Sequence, residues 1–544
     1  MGSTAQRLSG QIVDLHQRRI YGGEVIFDKG IILEIREVEP APPHFILPGF
    51  IDAHVHIESS MLVPSEFGRM AATHGTVATV SDPHEIANVL GIPGVDFMIE
   101  NGRTIAFKFY FGAPSCVPAT SFETAGAELG PAAIDSLLSR PEIRYLAEMM
   151  NWPGVIHGDP MVMEKIALTL KHGKTVDGHA PGLTPQQAAD YIKAGISTDH
   201  ECVDYEEARH KLAHGMKVII REGSAARNFE ALIGLLPEYE NEVMFCSDDK
   251  HPDSLERGHV NDLVRRAVAK GIDVFSVLKA ACVNPVLHYG LNVGLLRKGD
   301  PADFIAVKDL RDFKVKYTVI NGEMVAKNGM TLIPSVPISR PNNFHAEPIS
   351  AEAIRVTAAG NRVRVIVAHD GQLITTEEVV KARIDNNCLV PDVDNDILKL
   401  VVVNRYQSSA PAVAFIKGFG LKTGALASSV AHDSHNIIAV GCDDESISQA
   451  INAVIAEKGG VSISRAGTAS ILPLPVAGIM SDQDAYAVAR RYSELDRVSK
   501  EMGSTLGAPF MTLSFMALLV IPMLKLSDRG LFNGNSFEFT PLAC

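Results

Sequence analysis

The chain opens on short runs of alternating apolar and polar residues punctuated by turns. Gly23-Glu24-Val25-Ile26-Phe27 and Ile31-Ile32-Leu33-Glu34-Ile35 flank Asp28-Lys29-Gly30, a strand–turn–strand pattern. The pattern returns at residues 303–333, where Phe304-Ile305-Ala306-Val307, Tyr317-Thr318-Val319-Ile320 and Glu323-Met324-Val325 surround the hairpin signal Asn321-Gly322. The two segments predict a small composite β-sandwich domain built from residues 1–46 and 298–340. Between them, short apolar strands alternate with helix-like stretches. Strands are predicted near 50–55, 76–81, 105–111, 143–148, 174–178, 195–199, 217–221 and 243–247. Eight such strands predict an α/β fold, a (β/α)8 TIM-type barrel over residues 47–297.

A Pro-rich linker, Ile333-Pro334-Ser335-Val336-Pro337-Ile338-Ser339-Arg340-Pro341, separates this part from a C-terminal α+β domain at 350–544. That domain opens with the strand-like Val363-Arg364-Val365-Ile366-Val367. Asp443, Asp444 and Glu445 precede an apolar periodicity through Ile447, Ala450, Ile451 and Val454, which predicts a helix with acidic residues at its positive end. The apolar run from Leu506 to Leu524 contains Pro509, Thr512, Ser514 and Pro522, and is read as buried core rather than a membrane span.

Composition narrows the function. The 544 residues suit two to four domains, and 46% hydrophobic with 21% charged residues is ordinary for a folded soluble protein. Fifty basic against 64 acidic residues leave a formal charge of −14, which repels phosphate backbones and argues against nucleic acid as a partner. The seven cysteines, at 116, 202, 246, 282, 388, 442 and 544, form no CxxC pair and are expected as free thiols in a reducing compartment. The N-terminus shows no basic region followed by an apolar stretch, so a cytoplasmic protein without a membrane partner is expected.

The candidate chemistry lies where the predicted strands end. In a parallel barrel, catalytic groups project from the C-terminal strand ends. The first strand ends Asp52-Ala53-His54-Val55-His56, and residues two apart on a strand face the same side, so His54 and His56 are placed to hold one ion. The fourth strand ends in Glu148, the fifth in Asp177-Gly178-His179, the sixth in Asp199-His200 and the eighth in Cys246-Ser247-Asp248. Each has an ordinary alternative, a surface Glu, a capping Asp or a His satisfied in the core. Six ligand-type residues at five strand ends favour a metal site, and imidazoles with carboxylates suit Zn, Mn or Fe.

Longer motifs surround these residues. Pro48-Gly49-Phe50-Ile51-Asp52-Ala53-His54-Val55-His56-Ile57-Glu58-Ser59-Ser60 resembles the signature of the amidohydrolase superfamily and, in detail, that of bacterial adenine deaminases. Ser81-Asp82-Pro83-His84-Glu85-Ile86-Ala87-Asn88-Val89, Arg221-Glu222-Gly223-Ser224-Ala225, Cys246-Ser247-Asp248-Asp249-Lys250-His251-Pro252 and Ser428-Ser429-Val430-Ala431-His432-Asp433-Ser434-His435-Asn436 are similar to that family as well. The resemblance implies a binuclear site. His54, His56 and Asp248 would hold one divalent ion, His179 and His200 the other, and Glu148 would bridge them; the family's usual metals are Mn2+ or Fe2+, with Zn2+ as an alternative. It further implies hydrolytic deamination of a small-molecule purine base, adenine to hypoxanthine and ammonia, for purine salvage. A homo-oligomer is expected.

Departures from related enzymes sharpen this. Glu148 stands where many amidohydrolases carry a carbamylated lysine, which speaks against the runner-up, a cyclic-amide hydrolase of the dihydroorotase or hydantoinase type. His179 is followed by Ala180-Pro181-Gly182-Leu183, without the acid that mononuclear adenosine and cytosine deaminases place there. His345-Ala346-Glu347 has half of the other zinc-deaminase signature, but no P-C-x-x-C follows. A non-catalytic barrel serving as a binding module would show lost ligands, and none is lost. Asp248 is the expected general base, then acid. Glu222 is the first candidate to read the adenine edges, with Asp82, His84 and Glu85 second; Asp82-Pro83-His84-Glu85 equally reads as a helix start. Asp249, one position past Asp248, is expected to face away from the pocket. His432, Asp433 and His435 could form a polar loop, a separate metal site, or a cover over the barrel mouth.

Overall fold

The computed structural model describes residues 5–544. Its first strands are β1 (Gln6–Asp14), β2 (Arg19–Asp28), β3 (Ile31–Glu37) and β4 (Phe45–Pro48). Eight parallel strands follow: β5 (Phe50–Val55), β6 (Thr76–Ser81), β7 (Lys108–Ala113), β8 (Ile143–Met149), β9 (Thr175–Gly178), β10 (Thr198–Asp199), β11 (Lys217–Arg221) and β12 (Val243–Cys246). β5 to β9 pair in order, as do β10 to β12. Parallel bridges Val176–Ile196 and Val55–Asp248 join the two arcs at both seams. The result is the expected (β/α)8 barrel. Every residue of β5 and of β6 is buried, which is why these strands read as near-continuous apolar runs.

Two strands depart from the expected bounds by more than one residue. The third begins at Lys108, because Ile105–Phe107 form a bend closed by Phe107 N–H donating to Ile105 O at 2.9 Å. The sixth is two residues long; Gly195, at φ 106°, turns the chain in, and only Thr198 and Asp199 take regular pairing. The Pro48-Gly49 junction has a steric cause. A Cβ on Gly49 would lie 2.3 Å from Val77 Cγ1, so only glycine lets β4 pass into β5 beside β6.

After the barrel come β13 (Phe304–Val307), β14 (Val315–Ile320), β15 (Glu323–Lys327) and β16 (Met330–Thr331). They join the first four strands in one sheet of order β16-β15-β14-β13-β4-β1-β2-β3. Ile12, Val25, Phe27, Ile46, Phe304 and Val319 form its own core.

The C-terminal part is built on a second eight-stranded sheet running from Thr376–Lys381 at one edge to Thr468–Pro473 at the other. Val401, Val403, Ala425, Ala427, Ile437 and Ala439 face the helix Asp444–Ala456, through Ile447, Ala450, Ile451 and Val454. The alternate residues Leu400, Val402, Leu426, Ile438 and Val440 join the core that runs through the barrel. Both faces are therefore buried, and this sheet seats directly on the barrel. Asp443 caps the helix, accepting from Ser446 N–H at 2.7 Å, as its acidic start predicts. The apolar run after Leu506 folds into the short helix Pro509–Ser514 and a tight turn, with Phe510, Met511, Leu513 and Phe515 buried. Among the described residues no helix is long and apolar enough to cross a membrane.

Candidate active site

The barrel delivers its polar residues to one end. His54 is the penultimate residue of β5 and His56 directly follows the strand; Glu148 lies on β8, His179 just past β9, and His200 just past β10. Asp248 follows β12 in a left-handed conformation, φ 52°, which only a well-determined surrounding holds. That surrounding is visible. Asp248 N–H donates to His54 O at 3.0 Å, Ser247 N–H donates to Asp52 Oδ1 at 2.9 Å, and Asp52 Oδ2 pairs with His259 Nε2 at 2.8 Å. Asp199 Oδ1 accepts from Ala180 N–H at 3.1 Å and from Glu201 N–H at 3.2 Å, while Lys211 Nζ reaches Asp199 Oδ2 at 2.6 Å and Ala180 O at 2.8 Å. One buried ammonium thus fixes the chain on either side of His179 and His200.

The side chains converge. His54 Nε2 and His56 Nε2 are 3.1 Å apart, and Asp248 Oδ1 lies 3.6 and 3.4 Å from them. Glu148 Oε2 is 2.9 Å from His179 Nδ1 and 3.1 Å from His200 Nε2; Glu148 Oε1 is 3.5 Å from His56 Nε2. All six are buried. Two ligands about 2.0–2.2 Å from one metal ion stand about 3.0–3.4 Å apart, and these separations have that size. His54, His56 and Asp248 lie close enough to share an ion, as do His54, Glu148 and His200.

The electrostatics fit cations as well. Burial, with His200 and His56 alongside, drives His54 well below its ordinary pKa, leaving the neutral imidazole that ligates metals. Burial works against ionised Glu148, but His179 and His200 overcome it and hold the carboxyl well below its usual range. Asp248 behaves likewise: burial opposes its charge, and Arg221 and His56 outweigh burial. His56, His179 and His200 shift the other way from His54: burial opposes their charge, but the surrounding carboxylates, Asp248 at His56, Glu201 and Glu148 at His179 and Glu148 at His200, raise them. This cluster therefore attracts positive charge, which divalent ions would supply in place of protons.

The remaining candidates separate. Asp82 Oδ2 lies 3.1 Å from His84 Nδ1, which is 3.7 Å from Glu148 Oε1, so both residues border the cluster; His56, Asp82, His84 and Glu148 form a further group of ligand-type atoms. Asp82 also serves the helix His84–Leu90, accepting from His84 N–H at 3.1 Å. Glu85 does not reach back as a capping box would; its two oxygens are taken by His432 Nδ1 and His435 Nε2. Glu222 does not reach the cluster. Arg221 and Glu222 are successive residues at a strand end and face opposite ways. Arg221 turns inward, to Asp248 Oδ2 at 2.9 Å, and Glu222 turns outward, to Arg266 Nη1 at 2.6 Å. The expectation for Asp249 also fails. β12 ends at Cys246, so strand alternation no longer governs Asp249, which borders the same cavity and accepts from Ser59 Oγ at 2.5 Å.

Sequence reasoning missed Glu201. It pairs with Arg221 through both oxygens, one contact being 2.8 Å, and lies 3.7 Å from His179 Nδ1 and 3.5 Å from His200 Nε2. The signal was present in Asp199-His200-Glu201, an acid directly after a strand-end histidine.

Comparison with known proteins bears on this geometry. A family profile described as "Amidohydrolase family" matches residues 45–325, and one described as "Adenine deaminase C-terminal domain" matches 372–538. The chain is 58% identical over 534 residues to a protein of Salinibacter ruber named adenine deaminase, covering 98% of each. It is 56% identical to one so named from Sulfurovum sp., with 98% of each chain covered, and 51% identical to one from Methanosarcina mazei, with 99% of each covered. The chain belongs to the adenine deaminase family. Divalent-metal dependence follows from membership of the amidohydrolases, and the buried His, Asp and Glu cluster agrees with it.

The segment matched to the adenine deaminase C-terminal domain closes the barrel mouth. Leu373, His432, Asp433, Phe515 and Leu518 line a cavity with His56, His84, Glu148, His179, His200, Arg221 and Asp248. His432 stacks on Phe515 with ring centroids 4.6 Å apart. Lys525 Nζ donates to Leu373 O at 2.8 Å, fixing that side of the cover. The enclosed volume is about 20 Å³, room for about one water and far below the about 300 Å³ of a small-molecule pocket. A purine is larger than this space, so binding one requires the side chains around it to move. A cleft of about 1090 Å³ shares Met150 and His179 with this cavity and borders Glu123, Trp152 and Arg529. Of the six clustered residues it borders only His179, whereas five of the six line the smaller cavity.

Proposed function

We propose that the protein hydrolyses adenine to hypoxanthine and ammonia. The observation that carries this reading is the buried convergence of His54, His56, His179, His200 and Asp248 on Glu148 in a chain closely similar to proteins named adenine deaminase. His54, His56 and Asp248 would hold one divalent ion, His179 and His200 the second, with Glu148 between them. Bound there, the ions would supply a water whose pKa is brought towards neutrality. Manganese or iron is the assigned metal, with zinc as the alternative.

Asp248 moves the proton. Its Oδ1 faces His54 and His56, on the side where the ion would be held, so Oδ2, against Arg221 Nη1 at 2.9 Å, is the oxygen left to take the proton from the attacking water. Arg221 holds the carboxyl well below its usual range, which disfavours keeping that proton and favours passing it to the ring or to the departing amine. His84 and Glu85 line the cavity and would face the base, with Asp82 behind His84 at 3.1 Å and Glu85 held by His432 and His435. Phe515, Leu518 and Leu373 present an apolar cover to the flat ring and exclude bulk water.

Cytoplasmic location and a homo-oligomeric state belong to the same proposal, supported for location by seven unpaired cysteines. So does the division into a composite β domain, a barrel and a C-terminal domain. A substrate panel tests the function. Manganese-loaded protein is expected to turn over adenine and to use adenosine poorly. Turnover of a dihydropyrimidine without any hypoxanthine from adenine would move the assignment to a cyclic-amide hydrolase.

A further inference from the structure

We infer that Asp433, contributed by the C-terminal domain, reads the imidazole end of the purine by accepting a hydrogen bond from its N9–H. It thereby selects a free base over one substituted at that nitrogen. The inference rests on the adenine reading above and adds a specificity determinant to it.

Asp433 is 2% exposed and lines the cavity beside the metal-ligand cluster. Its Oδ2 is buried and has no hydrogen-bond partner among the described residues. Buried polar atoms are nearly always paired, and an unpaired carboxylate oxygen in a cavity wall is a site for a donor from a ligand. Glu201 and Asp248 are engaged by Arg221, Asp249 by Ser59 and Glu148 by His179. Asp82 Oδ2 and Glu85 Oε2 also lack a well-aligned hydrogen bond, but each has an imidazole nitrogen against it, His84 Nδ1 at 3.1 Å and His435 Nε2 respectively.

The position suits the far end of a bicyclic base. Glu148 Oε1 meets His84 Nδ1 at 3.7 Å, and Asp433 Oδ1 meets His84 Nε2 at 3.8 Å. His84 thus lies between Asp433 and the cluster, and Asp433 lines the cavity on the side of His84 away from the reacting atoms, where the five-membered ring of a purine with C6 at the cluster would lie once the surrounding side chains move to admit it. In free adenine that ring carries an N–H donor at N9. In adenosine or 9-methyladenine the same nitrogen carries carbon and has no proton to give. The carboxylate would then stay buried without its donor, beside the apolar side chains of Phe515 and Leu518.

The test compares wild type, Asp433→Asn and Asp433→Ala, all metal-loaded, with adenine and 9-methyladenine, alongside metal content and hypoxanthine binding by calorimetry. A hydrogen bond to a charged group is worth about 10- to 100-fold. Asp433→Ala is expected to lower kcat/KM for adenine by about that factor, chiefly through KM, and to shrink the preference for adenine over 9-methyladenine correspondingly. Hypoxanthine, which also carries N9–H, should bind more weakly by a similar factor, a readout independent of turnover. Metal content should be unchanged, and Asp433→Asn, which keeps an accepting oxygen, should fall between the two. An unchanged preference in Asp433→Ala, or loss of metal from it, would overturn the inference while leaving adenine deamination standing. Absence of adenine turnover in the wild type would instead remove the reading on which it rests.

Discussion

Asp248→Asn is expected to lower kcat by about 10²–10⁴-fold, the ordinary worth of a general acid–base, while most of the metal stays bound. Asparagine keeps the size and one accepting oxygen, so a ligand remains for the ion shared with His54 and His56. What is lost is the carboxylate that takes the proton. The Arg221 contact at Oδ2 should weaken but leave the fold intact, because Arg221 keeps its paired bonds to Glu201. Asp249→Asn gives the contrast. Asp249 borders the cavity and is not inert, yet it accepts its hydrogen bond from Ser59 rather than from a metal-ligand residue. A measurable but smaller loss is expected. If Asp249→Asn abolished turnover and Asp248→Asn spared it, the proton step would belong to Asp249.

Glu148→Gln should cost both metal and activity. Glu148 is the one side chain that meets His56 through one oxygen and His179 and His200 through the other. A neutral amide offers a single accepting oxygen to what two ions would share, and leaves His179 facing an amide where it now faces a carboxylate. Outer partners of metal ligands are worth about 10–100-fold in metal affinity or activity, and loss of a shared ligand should exceed that. Elemental analysis of wild type should give close to two ions per chain, and the variant should give clearly fewer. Full metal content with full activity in Glu148→Gln would refute the bridging role.

Much of the barrel was legible because its strands are buried on both faces and so read as apolar runs, with chemistry at their ends. Phe50–Val55 and Thr76–Ser81 match their expected bounds for that reason. Thr198–Asp199 does not, since a glycine turn shortens it, and periodicity carries no record of φ. The ligand-type residues stood out through their register at strand ends. The substrate side was harder. Glu222 looked suitable by position, but strand alternation turns it out to Arg266 once Arg221 faces inward. Asp249 defeated the opposite argument, because alternation stops where β12 ends. The cover was barely legible at all. Glu85 and His432 are 347 positions apart in sequence and meet only because an entire sheet seats on the barrel. Of the three readings open for the loop of His432, Asp433 and His435, the structure favours the cover over the barrel mouth.

The central claim is that the cluster under this cover performs hydrolytic deamination of adenine. Mass analysis of the product formed in 18O-labelled water by metal-loaded protein tests it most directly. Hypoxanthine should carry one solvent oxygen at C6, with one ammonia released per hypoxanthine. Metal-loaded, folded protein that forms no hypoxanthine, or hypoxanthine without solvent label and without equimolar ammonia, would contradict it.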